Sequence, residues 1–343
     1  MNPLSLAFLI SILLVLGVVF VNGWTDAPNA IGSAVGTRVL SPRKAILVAV
    51  VFNFLGVLLM TYISPAVADT ISKMVDFGES GSQQALIVLA AAMFAIVIWA
   101  VAAWYFGIPT SESHALIAGL TGGAIALGGV DAINMGEWRK VIIGLFLSTL
   151  LGFSAGFGIT RLIERIFRYA DRRRSESLFH HGQAWSAAGM AFLHGAQDGQ
   201  KFMGVFVLAM FLNGMTQKNP DGTFEIPLLV MVICSLTMGL GTMVGGWRII
   251  KAVGLDMVKM KKYQGFASDA AAGICLLIAS LTGLPVSTTH TKTTAIMGVG
   301  ASRRLSSVNW NIVKEMVLAW VLTFPGCGLI GYIMARLFMH LFG

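Results

Sequence analysis

The chain has 343 residues, of which 56% are hydrophobic and only 12% charged, with a formal net charge of +8. Such a composition excludes an ordinary soluble domain, which carries about twice that charged fraction. The positive surplus invites a nucleic-acid reading, but the placement of the charges argues instead for a membrane topology signal.

Six apolar runs reach the ~20 residues needed to cross a bilayer: 4–22, 45–68, 84–106, 139–160, 226–247 and 310–335. The first has no basic segment before it and no small-residue cleavage site after it, so it is read as a retained helix rather than a signal peptide. Residues 4–38 are interrupted only around Gly23–Pro28. A single straight helix of that length would span ~50 Å against a hydrocarbon core of ~30 Å. A helix broken within "NGWTDAPN" is therefore predicted, with a matching break in "HGAQDG" from His194. Half-helix N-termini would then point inward, and freed carbonyls could hold a cation.

Most of the 24 Lys and Arg fall in four stretches: 38–44, 161–183, 251–262 and the pair Arg303/Arg304. These are assigned to the cytoplasm. The acidic stretches 69–82, 127–137 and 214–225 are assigned to the outside, as are both termini. Cys234, Cys275 and Cys327 lie singly in apolar segments, which gives neither a disulfide framework nor a metal spacing.

The chain repeats itself. "GIPTSESHALIAG" from Gly107 is echoed by "GLPVSTTHTKTTAIMG" from Gly283, so that Pro109, Ser111 and His114 match Pro285, Ser287 and His290. "NGWTDAPNAIGSAVG" from Asn22 is echoed by "HGAQDGQKFMGVFVL" from His194, pairing Asp26 with Asp198. Matched loops have opposite charge character, which predicts inverted orientation and an odd number of crossings per copy. The expected fold is an all-α polytopic membrane protein with two inverted repeats of about five passes each. Broken helices and re-entrant-type segments would meet near the midplane, as in many secondary transporters. The organisation expected is a first repeat over 1–160, a basic cytoplasmic linker over 161–183, and a second repeat over 184–343.

Beyond the polar stretches, Asp26, Glu112, Asp198, Asp269 and Glu315 remain, and Glu315 sits near a helix start. The other four lie in apolar context, where a charge costs ~2.5–3.5 kcal/mol on insertion scales. Asp26 and Asp198 are read as ligands of a coupling cation, with sodium as the metal, rather than as helix caps. Asn29, Gln197 and Asp269 are assigned to the same task. The hydroxyls of Thr110, Ser111, Ser113, Ser287, Thr288 and Thr289 suit an oxyanion, because they donate hydrogen bonds without adding fixed charge. Lys201 could pair with Asp198 or touch the anion, and Lys292 could snorkel. Asn22, Glu112, His114, His194 and His290 are supporting candidates; His114 and His290 could equally prop the loop or touch substrate.

These four stretches resemble the hallmark motifs of the inorganic phosphate transporter (PiT) family, which also contains bacterial sulfate permeases. The resemblance covers both halves. It implies cation-coupled phosphate uptake across the cell membrane with sodium or proton as the cation, no enzyme cofactor, inverted repeats and a homodimer. The family's functional aspartates and serines map onto Asp26, Asp198, Ser111 and Ser287, and an acidic residue ahead of the second serine cluster maps onto Asp269. The chain departs from the pattern at Thr25 and Gln197, where the family usually has Asn, and at Pro28 in place of a small residue. Phosphate and sulfate both stay open as the anion. A membrane hydrolase of phosphorylated lipid, built from Ser, His and Asp, is a remote alternative, because paired inverted clusters do not make one asymmetric site.

Overall fold

A computed structural model describes residues 5–77, 82–106, 110–244 and 247–343, apart from the side chain of Ala27. Pro109, the first member of the repeated Pro/Ser/His set, lies outside the described residues. Among the described residues the chain is helical, with only two isolated bridges, Val75–Ile133 and Val258–Val308.

The first half comprises α1 (Leu6–Thr25), α2 (Ala27–Gly36), α3 (Pro42–Ile63), α4 (Ala66–Lys73), α5 (Gln83–Phe106), α6 (Glu112–Gly128) and α7 (Met135–Ile166). The second comprises α8 (Arg172–His194), a π-helical turn (Gly195–Gly199), α9 (Gln200–Leu212) and α10 (Leu228–Val244). It continues through α11 (Trp247–Lys251), a second π turn (Ala252–Asp256), α12 (Lys262–Leu281), α13 (Thr288–Ala301) and α14 (Trp310–Phe342). Among the described residues six spans are long and apolar enough to cross a membrane, and a pair bent by 69°, Leu228–Val244 with Trp247–Asp256, makes up to seven. The chain is a multi-pass membrane protein. Span α12 escaped the hydropathy reading because its first half carries Gln264, Ser268 and Asp269.

The predicted helix breaks are narrower than expected. Between α1 and α2 only Asp26 is interrupted, and its N–H still donates to the Asn22 carbonyl at 2.9 Å. Pro28 falls in the first turn of α2, where a missing N–H costs least. At "HGAQDG" the chain does not break; it absorbs one wide π turn between α8 and α9. The expected inward half-helix ends are therefore not formed at these two places. The basic stretch 161–183 is also mostly helical, as α7 runs to Ile166 and α8 starts at Arg172. Asp171 caps α8 by accepting from the Arg174 N–H at 2.8 Å.

Local structure recurs in both halves. A three-residue 3-10 turn precedes an asparagine cap, Asn134 or Asn309, and then a helix of 32 or 33 residues. Helix α6 packs on α14, and α13 packs on α7, so each long helix covers a buried helix from the other half. Glycine permits this closeness. A Cβ built on Gly122 would lie 2.1 Å from the Gly328 carbonyl oxygen, and one on Gly298 would lie 2.0 Å from that of Phe153. Close backbone approach is the usual source of helix association where lipid offers no hydrophobic contrast. The outer faces of α1, α3, α7 and α14 present exposed apolar side chains such as Leu13, Leu47, Phe146, Leu150 and Val321, as a lipid-facing surface requires.

Candidate functional site

Two short helices aim their N-termini at the centre of the molecule. Ser111 caps α6 by accepting from the His114 N–H at 3.3 Å, and Ser287 caps α13 by accepting from the His290 N–H at 3.1 Å. The His114 and His290 rings meet edge to face with centroids 4.3 Å apart, so the first turns of the two helices abut. His290 also lies against Trp320, at 3.7 Å, and His114 against Phe324, at 4.7 Å. The imidazoles wedge the helices together, which favours the propping role. First-turn N–H groups and serine hydroxyl protons are donors suited to an oxyanion.

The carboxylates gather beside these N-termini. Asp26 accepts from Asn29 at 2.5 Å, from the Thr289 hydroxyl in a short contact, and from the Thr288 hydroxyl at 3.3 Å. Asp198 accepts from Thr288 at 2.9 Å, Asn22 at 3.4 Å and Ser113 at 3.4 Å, and from Lys201 at 2.7 Å. The Thr288 hydroxyl thus lies between two carboxylates from opposite halves of the chain. His194 Nε2 stands 3.4 Å from Asp198, and its Nδ1 faces Asn53 at 3.1 Å. Asp26, His194 and Asp198 offer ligand atoms all within 4.8 Å of one another, and all three are buried. Glu112 accepts from Thr25 at 3.0 Å through one oxygen, while its other oxygen is buried without a partner among the described residues.

Several sequence assignments are redirected. Thr288 and Thr289 turn to the carboxylates rather than standing open to an anion. Lys201 spends its three N–H donors on Ser113 Oγ (2.6 Å), Asp198 and the Val286 carbonyl (2.6 Å), so it has none left for a substrate. Gln197 points its amide at Ser280 and the Leu284 carbonyl, each at 3.3 Å, away from Asp26. Thr110 is buried at the entry to α6. Asp269 belongs to a second cluster, where it pairs with Lys292 and accepts from Ser33 at 2.6 Å and Ser186 at 3.1 Å. Lys292 is wholly buried, so it does not snorkel. Asn53 was missed, although a lone asparagine in the apolar run 45–68 was a visible signal. Ser33, Ser186 and Ser268 gave none, since isolated serines are common in membrane helices.

A many-pass helical bundle with buried carboxylates and two helix N-termini at its centre defines a membrane transporter by class. The pattern of the Phosphate transporter family matches residues 22–175 and 168–331, and the chain belongs to that family. It is similar to a "Probable low-affinity inorganic phosphate transporter" of Bacillus subtilis (strain 168), 37% identical over 336 residues that cover 97% of each chain. A protein of the same description from Rhizobium meliloti (strain 1021) is 36% identical, over 91% of this chain and 90% of the relative. A solved structure described as "The sodium-dependent phosphate transporter" shares the fold, with a TM-score of 0.88 at 22% identity over 99% of this chain and 100% of that one.

Proposed function

We propose that the chain imports inorganic phosphate by symport with a cation, sodium or proton, across the cell membrane. The observation that carries this reading is the pairing of Asp26 and Asp198 through Thr288 beside two helix N-termini. Lys201 pairs with Asp198, so the repulsion that an oxyanion meets in this low-dielectric site comes chiefly from the Asp26 carboxylate. A cation held at Asp26, next to His194 and Asp198, removes that repulsion, so anion and cation bind together and move together. Counterflow of labelled phosphate and sulfate in proteoliposomes, with and without sodium or a pH gradient, tests the reading. Phosphate exchange that ignores every cation gradient would overturn symport, and exchange of sulfate alone would overturn phosphate.

Ser111 and Ser287 supply the anion contacts in this scheme, one from each half. Either Ser→Ala change removes a charge-assisted hydrogen bond of ~1.5–3 kcal/mol, so phosphate affinity should fall ~10- to 100-fold. It also removes a helix cap worth ~1 kcal/mol, which thermal unfolding would register separately. Unchanged phosphate affinity in both single variants would remove the serines from the site.

The two halves are proposed to be inverted repeats joined across 161–183, with both termini outside, in a homodimer. Single cysteines placed in 161–183 and in 214–225 should label from opposite sides of the membrane. Background labelling is expected to be low, since Cys234, Cys275 and Cys327 are buried.

A further inference from the structure

Two lysines lie inside the bundle with no exposure at all, Lys201 on α9 and Lys292 on α13. Each ammonium is enclosed by one carboxylate and two neutral oxygens. Around Lys201 these are Asp198 at 2.7 Å, Ser113 Oγ at 2.6 Å and the Val286 carbonyl at 2.6 Å. Around Lys292 they are Asp269, Ser33 Oγ at 3.2 Å and Ser268 Oγ at 3.3 Å. Three donors meet three acceptors in each case, which fits a charged ammonium and leaves none over. A carboxylate flanked by neutral oxygens is also an all-oxygen donor set of the kind that hard cations take.

We propose that Lys201 and Lys292 are tethered cations, which hold permanently the positions that a dissociable cation would otherwise fill beside Asp198 and Asp269. This rests on the cation-coupled reading above and makes it more specific. A lysine cannot leave with the substrate, so neither Asp198 nor Asp269 contributes a free cation to the transport cycle. The mobile cation then belongs to Asp26, whose described partners, Asn29, Thr288 and Thr289, are all neutral. The two lysines thereby set how many cations accompany each phosphate.

The test is the coupling ratio, read from reversal potentials of phosphate flux in proteoliposomes with imposed cation gradients. Lys201→Ala opens a vacated oxygen shell and should raise the ratio by one cation per phosphate, as should Lys292→Ala. Lys201→Arg should keep the wild-type ratio. Should an alanine variant not transport, binding of radioactive sodium to the purified, monodisperse protein replaces the flux. One additional bound sodium over wild type supports the proposal, and no additional sodium overturns it. An unchanged coupling ratio in both alanine variants also overturns it. Failure of the transport reading itself would look different: the wild type would carry no phosphate, while the sodium count could still rise in the variants.

Discussion

Asp26→Asn is expected to abolish cation-driven accumulation of phosphate while leaving a correctly inserted protein. The amide keeps the size of the carboxylate and can still hydrogen-bond Thr288 and Thr289, so the junction of α1 and α2 should hold. What disappears is the negative charge that would hold a cation next to His194 and Asp198. Removing one charge from a desolvated, hydrogen-bonded set costs ~3–5 kcal/mol, or ~100-fold or more in cation affinity. Accumulation against a gradient should then fall to background in a proteoliposome uptake assay, while phosphate exchange at equal concentrations falls less. A variant that accumulates phosphate with wild-type cation dependence would make Asp26 a structural cap.

Gly298→Leu should prevent assembly rather than transport. The nearest atom to a Cβ there is the Phe153 carbonyl oxygen, at 2.0 Å, and the next are also backbone of α7. No rotamer relieves a clash with backbone, so α13 must lift off α7. Even in cores that can adjust, overpacking costs ~1–3 kcal/mol, and here the first turn of α13 would carry Ser287 and Thr288 out of place. The expected readout is loss of most monodisperse protein in size-exclusion chromatography. Gly158→Leu is the control: it lies on the same α7, exposed, with nothing within 4 Å of its Cβ, and should be recovered at wild-type yield.

Much of the site was legible because a polar residue in an apolar chain stands out, and a twice-used motif stands out more. Asp26, Asp198, Ser111 and Ser287 were visible for that reason, and they do converge. What sequence could not supply was direction. Thr288 and Thr289 occupy the first turn of α13 as expected, but only the fold shows that they face Asp26 and Asp198. The partner of Lys292 sits 23 residues earlier on another helix, so no local spacing pairs it with Asp269. The helix breaks were overestimated because glycine and proline permit a break without requiring one. Pro28 in a first turn and a π turn at Gly195–Gly199 let both helices run on.

The crossed pairing of α6 with α14 and of α13 with α7 bears on how the molecule is made. Helix α6 leaves the ribosome about two hundred residues before α14, the surface that will cover it. Until the last helix is synthesised, the face of α6 at Gly122, which closes on Gly328, has only lipid or the insertion machinery to rest against. Neither half can therefore finish burying its helices while the other is missing. A nascent chain stopped before Trp310 should stay protease-sensitive in α6, and adding the missing helix as a separate peptide should restore protection.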